Sequence, residues 1–169
     1  MGLVDLKKEL VKLDKDKLIV LISDLYKSNK AAKEYLDFYA NPNETDLFEK
    51  YKDKVYEAFY PKRGYNLKLT DGKKAISDFK KMSTSAVLVA DLMLFYVETG
   101  VQFTNEYGDI GESFYNSLES VYSQSLIFMN KENLLSEFEV RVSKILKDTE
   151  DVGWGLYDSL SYTYSNFYE

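Results

Sequence analysis

The stretch SAVLVADLMLFYVETGVQFTNEYG, Ser85 to Gly108, decides the fold. From Ala86 to Val97 its twelve residues are apolar except for Asp91, so a helix here is apolar on nearly every side. Such a helix needs cover from neighbouring elements, and the apolar run is shorter than the roughly 18 residues that span a bilayer. We therefore expect a central core helix that ends before Gly108.

The flanking segments carry apolar residues at helical spacing, separated by capping and breaking residues. Leucines at 3, 6, 10 and 13 predict a first helix, paired with a second helix that Asp14 caps. Pro61 ends a fourth helix, because the residue before a proline is displaced from the helical region. Thr70 or Asp71 is expected to cap a fifth helix. Further on, Asp109 with Glu112 resembles a capping box for a seventh helix, and Asn130 is expected to cap an eighth.

These patterns predict an all-α protein, an irregular bundle of about eight to nine helices, with stacked helix pairs as an alternative arrangement. The length suits one domain over residues 1–169. In it, residues 1–60 hold helices one to four, residues 61–70 form a basic loop, and residues 71–169 hold helices five to nine.

The composition excludes several chemistries. There is no cysteine and no histidine, which rules out thiolate metal sites, cysteine nucleophiles and catalytic triads that use histidine. We assign no catalytic residue, no metal ligand and no cofactor. Because the N-terminal residues lack a secretory pattern, we expect a cytoplasmic protein without a membrane partner.

Charge is distributed unevenly along the chain. Residues 61–81 carry seven basic and two acidic side chains, whereas residues 82–169 carry four and fourteen. One interpretation is that the basic segment packs against the acidic second half. The alternative is an exposed site for an anion near a helix start. The candidate residues of that site are Lys62, Arg63, Lys68, Lys73 and Lys74.

The predicted central helix contains two carboxylates on roughly one face, Asp91 and Glu98. Paired carboxylates can act as acid and base or bind a metal, but a structural ion pair with Arg63 or Lys68 is the simpler interpretation. The candidates for a polar network are Asp91, Glu98, Glu106 and Asp109.

The chain is rich in aromatic residues, with fifteen tyrosines and ten phenylalanines. Tyrosine supplies apolar area together with a hydroxyl, so we expect some rings to lie at a partner surface. This favours a protein partner or a homodimer, whereas the net charge of −6 disfavours nucleic acid. The candidates for an interaction surface are Trp154, Tyr157, Tyr164 and Phe167.

Four long segments resemble a bacterial family known only as a domain of unknown function. They are FYPKRG at 59–64, GKKAISDFKK at 72–81, LMLFYVETGVQFTNEYGDI at 92–110 and DTEDVGWGLYDSL at 148–160. The resemblance implies a helical cytoplasmic protein and carries over no catalytic residue.

Three functions follow as hypotheses. The first is a non-enzymatic helical protein-interaction module, because catalytic motifs are missing and aromatic residues are abundant. The second is a binding domain for a phosphate-bearing ligand or nucleic acid at the basic loop. The third is a metal-dependent hydrolase that uses the clustered carboxylates.

Overall fold

The computed structural model describes residues 2–168, which form nine α-helices and no strand, so the all-α prediction is confirmed. The helices are α1 (Leu3–Leu10), α2 (Lys15–Ser28), α3 (Lys30–Ala40), α4 (Glu44–Phe59), α5 (Leu69–Met82), α6 (Ala86–Tyr107), α7 (Glu112–Lys131), α8 (Leu135–Lys147) and α9 (Leu156–Tyr168).

Packing divides the chain into two compact units, residues 1–43 and residues 44–169. The first contains α1 to α3 and the second α4 to α9. That the two units form one domain stays a prediction.

In the first unit, side chains cap the helices as the sequence indicates. The Asp14 carboxylate accepts a hydrogen bond from the backbone N–H of Lys17 at 2.9 Å, which confirms the predicted cap of α2.

The main packing contact of the first unit joins α2 to α3, whereas the leucine spacing predicted one between α1 and α2. The Tyr26 hydroxyl supports this contact by donating to Asp37 on α3 at 2.8 Å.

The second unit is built around α6, as its apolar sequence predicted. Four helices contact α6: α4, α5, α7 and α8. Leu92, Leu94 and Val97 on α6 are fully buried. The hydroxyl of the buried Tyr96 on α6 is paired inside the unit, where it hydrogen-bonds to Ser117 on α7 at 2.8 Å.

By length and composition alone, α6 could also cross a membrane, and it is the one helix within residues 2–168 of which this is true. Its most apolar window has a mean hydropathy of 1.5, and 56% of that window is buried in the structure, as in a core helix of a soluble protein. The apolar run from Ala86 to Val97 is too short to span a bilayer, but the complete helix is longer than that run.

Two glycines let helices approach closely. A Cβ atom at Gly100 on α6 would lie 2.2 Å from Leu118 Cδ2 on α7 and 3.0 Å from the Phe59 ring on α4. At Gly72 on α5, a Cβ atom would lie 2.8 Å from the Tyr96 ring and 3.0 Å from Ala58 Cβ. Both positions therefore require the absence of a side chain.

Three predicted caps are wrong. Gly111, not Asp109, precedes α7, and no side chain caps that helix. The segment around Asn130 continues α7 to Lys131, and α8 begins only at Leu135. The N-cap position of α5 is Lys68 rather than Thr70 or Asp71, so the basic connection ends two residues earlier than predicted.

Glu44 at the start of α4 ties this helix to the turn between α5 and α6. Its carboxylate accepts hydrogen bonds from the Ser83 hydroxyl and from the backbone N–H and hydroxyl of Thr84, each at 2.8 Å. Burial acts to raise the pKa of the Glu44 carboxyl, but these bonds outweigh it and hold the pKa below its ordinary value of 4.5.

We expect Gly100→Ala to destabilise the protein by about 1 kcal/mol. Overpacking against the buried Leu118 costs about 1–3 kcal/mol, which exceeds the gain of about 1 kcal/mol in helix propensity. Urea unfolding measures the change. In a Leu118→Ala background the penalty should disappear, and an unchanged penalty there would show that the Leu118 contact is not its cause.

We also expect Glu44→Gln to lower the free energy of unfolding at neutral pH by about 1 kcal/mol. The folded pKa is depressed, so the contribution of Glu44 is present above pH 4.5 and is lost as the pH falls through the folded pKa. The variant should therefore show a shallower loss of stability on acidification, measured by urea unfolding at several pH values. Glu49→Gln, an exposed change on the same helix, should leave the pH dependence as in the wild type.

Candidate functional site

The connection between α4 and α5 is held in a defined shape by its ends. Helix α4 stops at Phe59, as the position of Pro61 predicted, and Gly64 adopts a positive φ of 76°. The Lys68 backbone N–H donates to the Ala58 carbonyl at 2.8 Å, which returns the chain to the end of α4. Helix α5 then starts alongside α4, where Gly72 permits the close approach.

An open cleft of about 480 Å³ lies between α4, this connection and α5. We call it the basic cleft. Its lining includes five cationic and three acidic side chains over a floor that contains the buried Tyr51, Ala58 and Ala75. The charged residues are Lys54, Lys62, Arg63, Lys68, Lys74, Glu57, Asp71 and Asp78.

Several of these charges compensate one another. Lys62 forms an ion pair with Glu57, which raises the pKa of the lysine. Lys74 pairs with Asp78, and Lys81 approaches the same carboxyl at 3.0 Å. The hydrogen bond from Lys74 is the main reason that the pKa of Asp78 lies below its ordinary value.

Two cations of the cleft are not compensated in this way. Within residues 2–168, neither Arg63 nor Lys68 forms an ion pair, and both side chains are exposed. Lys54 lies over the Tyr51 ring, 3.7 Å from its centroid. Of the cations in the basic cleft, Arg63 and Lys68 are therefore the two with donor capacity to spare.

Four of the five predicted basic residues line this cleft, and Lys73 does not. Lys73 lines a separate groove with Thr70 and Ile110, because adjacent residues on a helix point about 100° apart.

Lys54 also lines the basic cleft and was not predicted from the sequence. Its spacing of four residues from Ala58 and seven from Pro61 places it on the same side of α4 and could have revealed it.

The carboxylates of α6 are paired, but with a different cation from those predicted. Arg141 on α8 donates to both oxygens of Glu98 at 2.6 and 2.7 Å and to Asp91 at 2.7 Å. Burial acts to lower the pKa of the Arg141 guanidinium, but these hydrogen bonds outweigh it and raise the pKa. Arg63 and Lys68 lie in the basic cleft instead.

The other two network candidates lie in separate settings. Glu106 accepts hydrogen bonds from the Tyr60 hydroxyl at 2.8 Å and the Gln102 amide at 2.7 Å, and Asp109 accepts one from Tyr115 at 3.3 Å. In the described part of the chain, no group of three or more acidic side chains is placed to hold a metal ion. The hydrolase hypothesis stays a prediction.

The aromatic candidates near the C-terminus are mostly half-buried. Tyr157, Tyr164 and Phe167 are of this kind, and Tyr164 stacks on Tyr168 with ring centroids 4.7 Å apart. Trp154 is 58% exposed and stacks on Tyr115 at 6.1 Å. Among these candidates, Trp154 offers the largest exposed ring.

A larger exposed apolar surface lies in the first unit, where none of residues 2–43 is buried. We call it the N-terminal apolar surface. Its large apolar side chains are at least 44% exposed. They are Leu3, Val4, Leu6, Val11, Ile19, Val20, Leu21, Ile22, Leu25, Tyr35 and Tyr39. The leucine and isoleucine spacing indicated which side of each helix is apolar, but it gave no sign that this side stays exposed.

These features define an all-α protein with a basic cleft in one unit and an exposed apolar surface in the other. The chain belongs to the family of unknown function DUF6155, which it matches over residues 1–168. No curated protein and no solved structure matches it. The membership confirms the resemblance to a family of unknown function, and it brings no activity to this chain.

We expect Arg141→Met to destabilise the protein by about 2 kcal/mol. Removing one partner of a buried ion pair costs about 3–5 kcal/mol, and the exposure of about a third of each side chain here reduces that cost. Thermal and urea unfolding measure the change.

Two matched variants separate this effect from a loss of packing. Lys147→Met, an exposed change on the same helix, should shift stability by less than about 0.5 kcal/mol. Neutralising the two carboxylates as well, with Asp91→Asn and Glu98→Gln, should restore at least half of the loss. Equal effects of Arg141→Met and Lys147→Met would contradict the assigned role.

Proposed function

We propose that the protein is a non-enzymatic helical interaction module and that a second copy of the same chain binds its N-terminal apolar surface. One observation carries the proposal: residues 2–43 include no buried residue, although their helices expose nine large aliphatic side chains. An apolar surface of this extent is typical of an interaction site.

Helix α2 is the centre of this surface. Its residues 18–22, LIVLI, are apolar without interruption, so the helix is apolar on every side over more than one turn. Ile19, Val20, Leu21 and Ile22 are each about half exposed. A helix with this pattern is stable in water when other apolar groups cover it.

The area fits a protein interface. A fully exposed aliphatic side chain has about 100 Å² of accessible apolar surface to bury. Nine such side chains at about half exposure therefore offer roughly 400–500 Å². A stable interface buries about 800 Å² on each partner, of which somewhat more than half is apolar. These nine side chains together expose about the apolar area that a dimer interface buries, and a partner has to wrap around α2 to cover all of them.

The charge of the first unit favours a second copy over a strongly charged partner. Residues 1–43 carry eight lysines and seven acidic side chains, so the surface is nearly neutral and contains both signs. Two such surfaces do not repel one another, and each presents cations and carboxylates at the rim of the other.

Sedimentation equilibrium of the complete chain tests the proposal with Ile19→Glu. A carboxylate buried in the interface should weaken the dimer by about 2 kcal/mol or more, roughly thirtyfold in Kd. The matched control is Ile127→Glu on α7, because Ile127 is 57% exposed and Ile19 is 51% exposed. It should leave the dimer unchanged.

Circular dichroism checks that both variants keep their helix content. A wild-type protein that stays monomeric at high micromolar concentration would overturn the proposal. So would an equal loss of dimer in the two variants, because it would show that the N-terminal apolar surface is not the interface.

A further inference from the structure

We propose that the basic cleft binds a small ligand with a phosphate or diphosphate group, and that Arg63 and Lys68 are its principal charged contacts. The cleft lies in the second unit and shares no residue with the N-terminal apolar surface. This inference therefore does not depend on self-association.

The shape of the cleft suits a small molecule. Its volume of about 480 Å³ falls within the range of about 300–1,000 Å³ that ligand sites occupy. The wall is fixed from both sides, since Lys68 is hydrogen-bonded to the end of α4 and Gly72 brings α5 against Ala58.

The charge of the lining suits an anion. Five cations against three carboxylates leave an excess of two positive charges, in a chain whose net charge is −6. Glu57 and Asp78 are already engaged by Lys62 and Lys74. Asp71 is the one other carboxylate of the lining. Arg63 and Lys68 form no ion pair with it or with any other group within residues 2–168.

The two arginines of the chain differ in what they bind. Arg141 is committed to Asp91 and Glu98, with a forked contact to the Glu98 carboxylate. Arg63 presents the same planar group to the cleft. A guanidinium fork matches phosphate oxygens as well as it matches a carboxylate, and it holds them in two parallel hydrogen bonds.

The start of α5 gives an independent indication. Lys68 occupies the N-cap position and supplies no capping hydrogen bond, and Asp71 is the one acidic residue of the first turn. Lys74 adds another cation one and a half turns on. An anion bound between these cations would relieve their repulsion from the helix dipole.

A small ligand fits better than nucleic acid. The cleft is bounded, whereas a strand of nucleic acid needs a basic surface that extends along its backbone. Residues 82–169 carry fourteen acidic and four basic side chains, which repel a long polyanion.

The test is the binding of inorganic pyrophosphate to the complete chain, by isothermal titration calorimetry and phosphorus NMR line broadening. We expect one site, and we expect Arg63→Gln and Lys68→Gln each to weaken binding at least about tenfold. Arg63→Lys should also weaken it, because lysine keeps the charge and loses the fork. Lys73→Gln is the matched control: it removes one cation of the same helix from outside the cleft and should change affinity less than about twofold.

Three outcomes would overturn the inference. One is the absence of pyrophosphate binding by both methods at millimolar concentration. Another is a loss in Lys73→Gln as large as that in Arg63→Gln, which would indicate attraction by overall charge. The third is binding of a single-stranded oligonucleotide in preference to pyrophosphate, with a steep dependence on salt. Thermal unfolding confirms that each variant is folded before binding is compared.

Discussion

The second unit depends on the need to cover α6. Over Ala86 to Val97 the apolar side chains of this helix point in nearly every direction, and α4, α5, α7 and α8 all contact the helix. The absence of a side chain at Gly100 allows the α7 residue Leu118 to approach the α6 backbone. The two carboxylates that interrupt the apolar surface require a cation, and Arg141 supplies it from α8. Burial and charge compensation on one helix thus determine where its neighbours lie.

The basic cleft follows from the same packing. Helix α5 has to reach both α4 and α6, and Gly72 allows that approach to Ala58 and Tyr96. Side chains on the outer faces of α4 and α5 then line the gap between the two helices. Lys54 and Lys74 therefore lie at one cleft, although they are twenty residues apart in sequence. A constraint in the apolar core therefore places cations at the surface.

The sequence predicted what depends on local pattern and failed where distant residues meet. The bounds of α6 and the Asp14 cap follow from apolar periodicity and from residues close by in the chain. The partner of Asp91 could not be predicted in this way, because Arg141 lies 50 residues away and the basic loop is nearer in sequence. The caps predicted at Asp109 and Asn130 were wrong, because a residue with a suitable side chain caps a helix only where the backbone begins that helix. Periodicity also identifies the apolar side of α2 but not what covers it.

Helix α5 is held by its buried face. Its Phe79 ring is fully buried against Phe48 and Tyr51, with centroids 6.0 and 5.6 Å away, and Ile76 is buried on the same face. Each of these side chains contributes about 2 kcal/mol by leaving water, whereas a cation near a helix N-terminus costs a few tenths to about 1 kcal/mol. Because burial dominates, α5 can carry Lys68 at its N-cap position, where helix stability disfavours a cation. The stability of the helix therefore does not determine the charge of its exposed face, which can be positive enough to attract an anion.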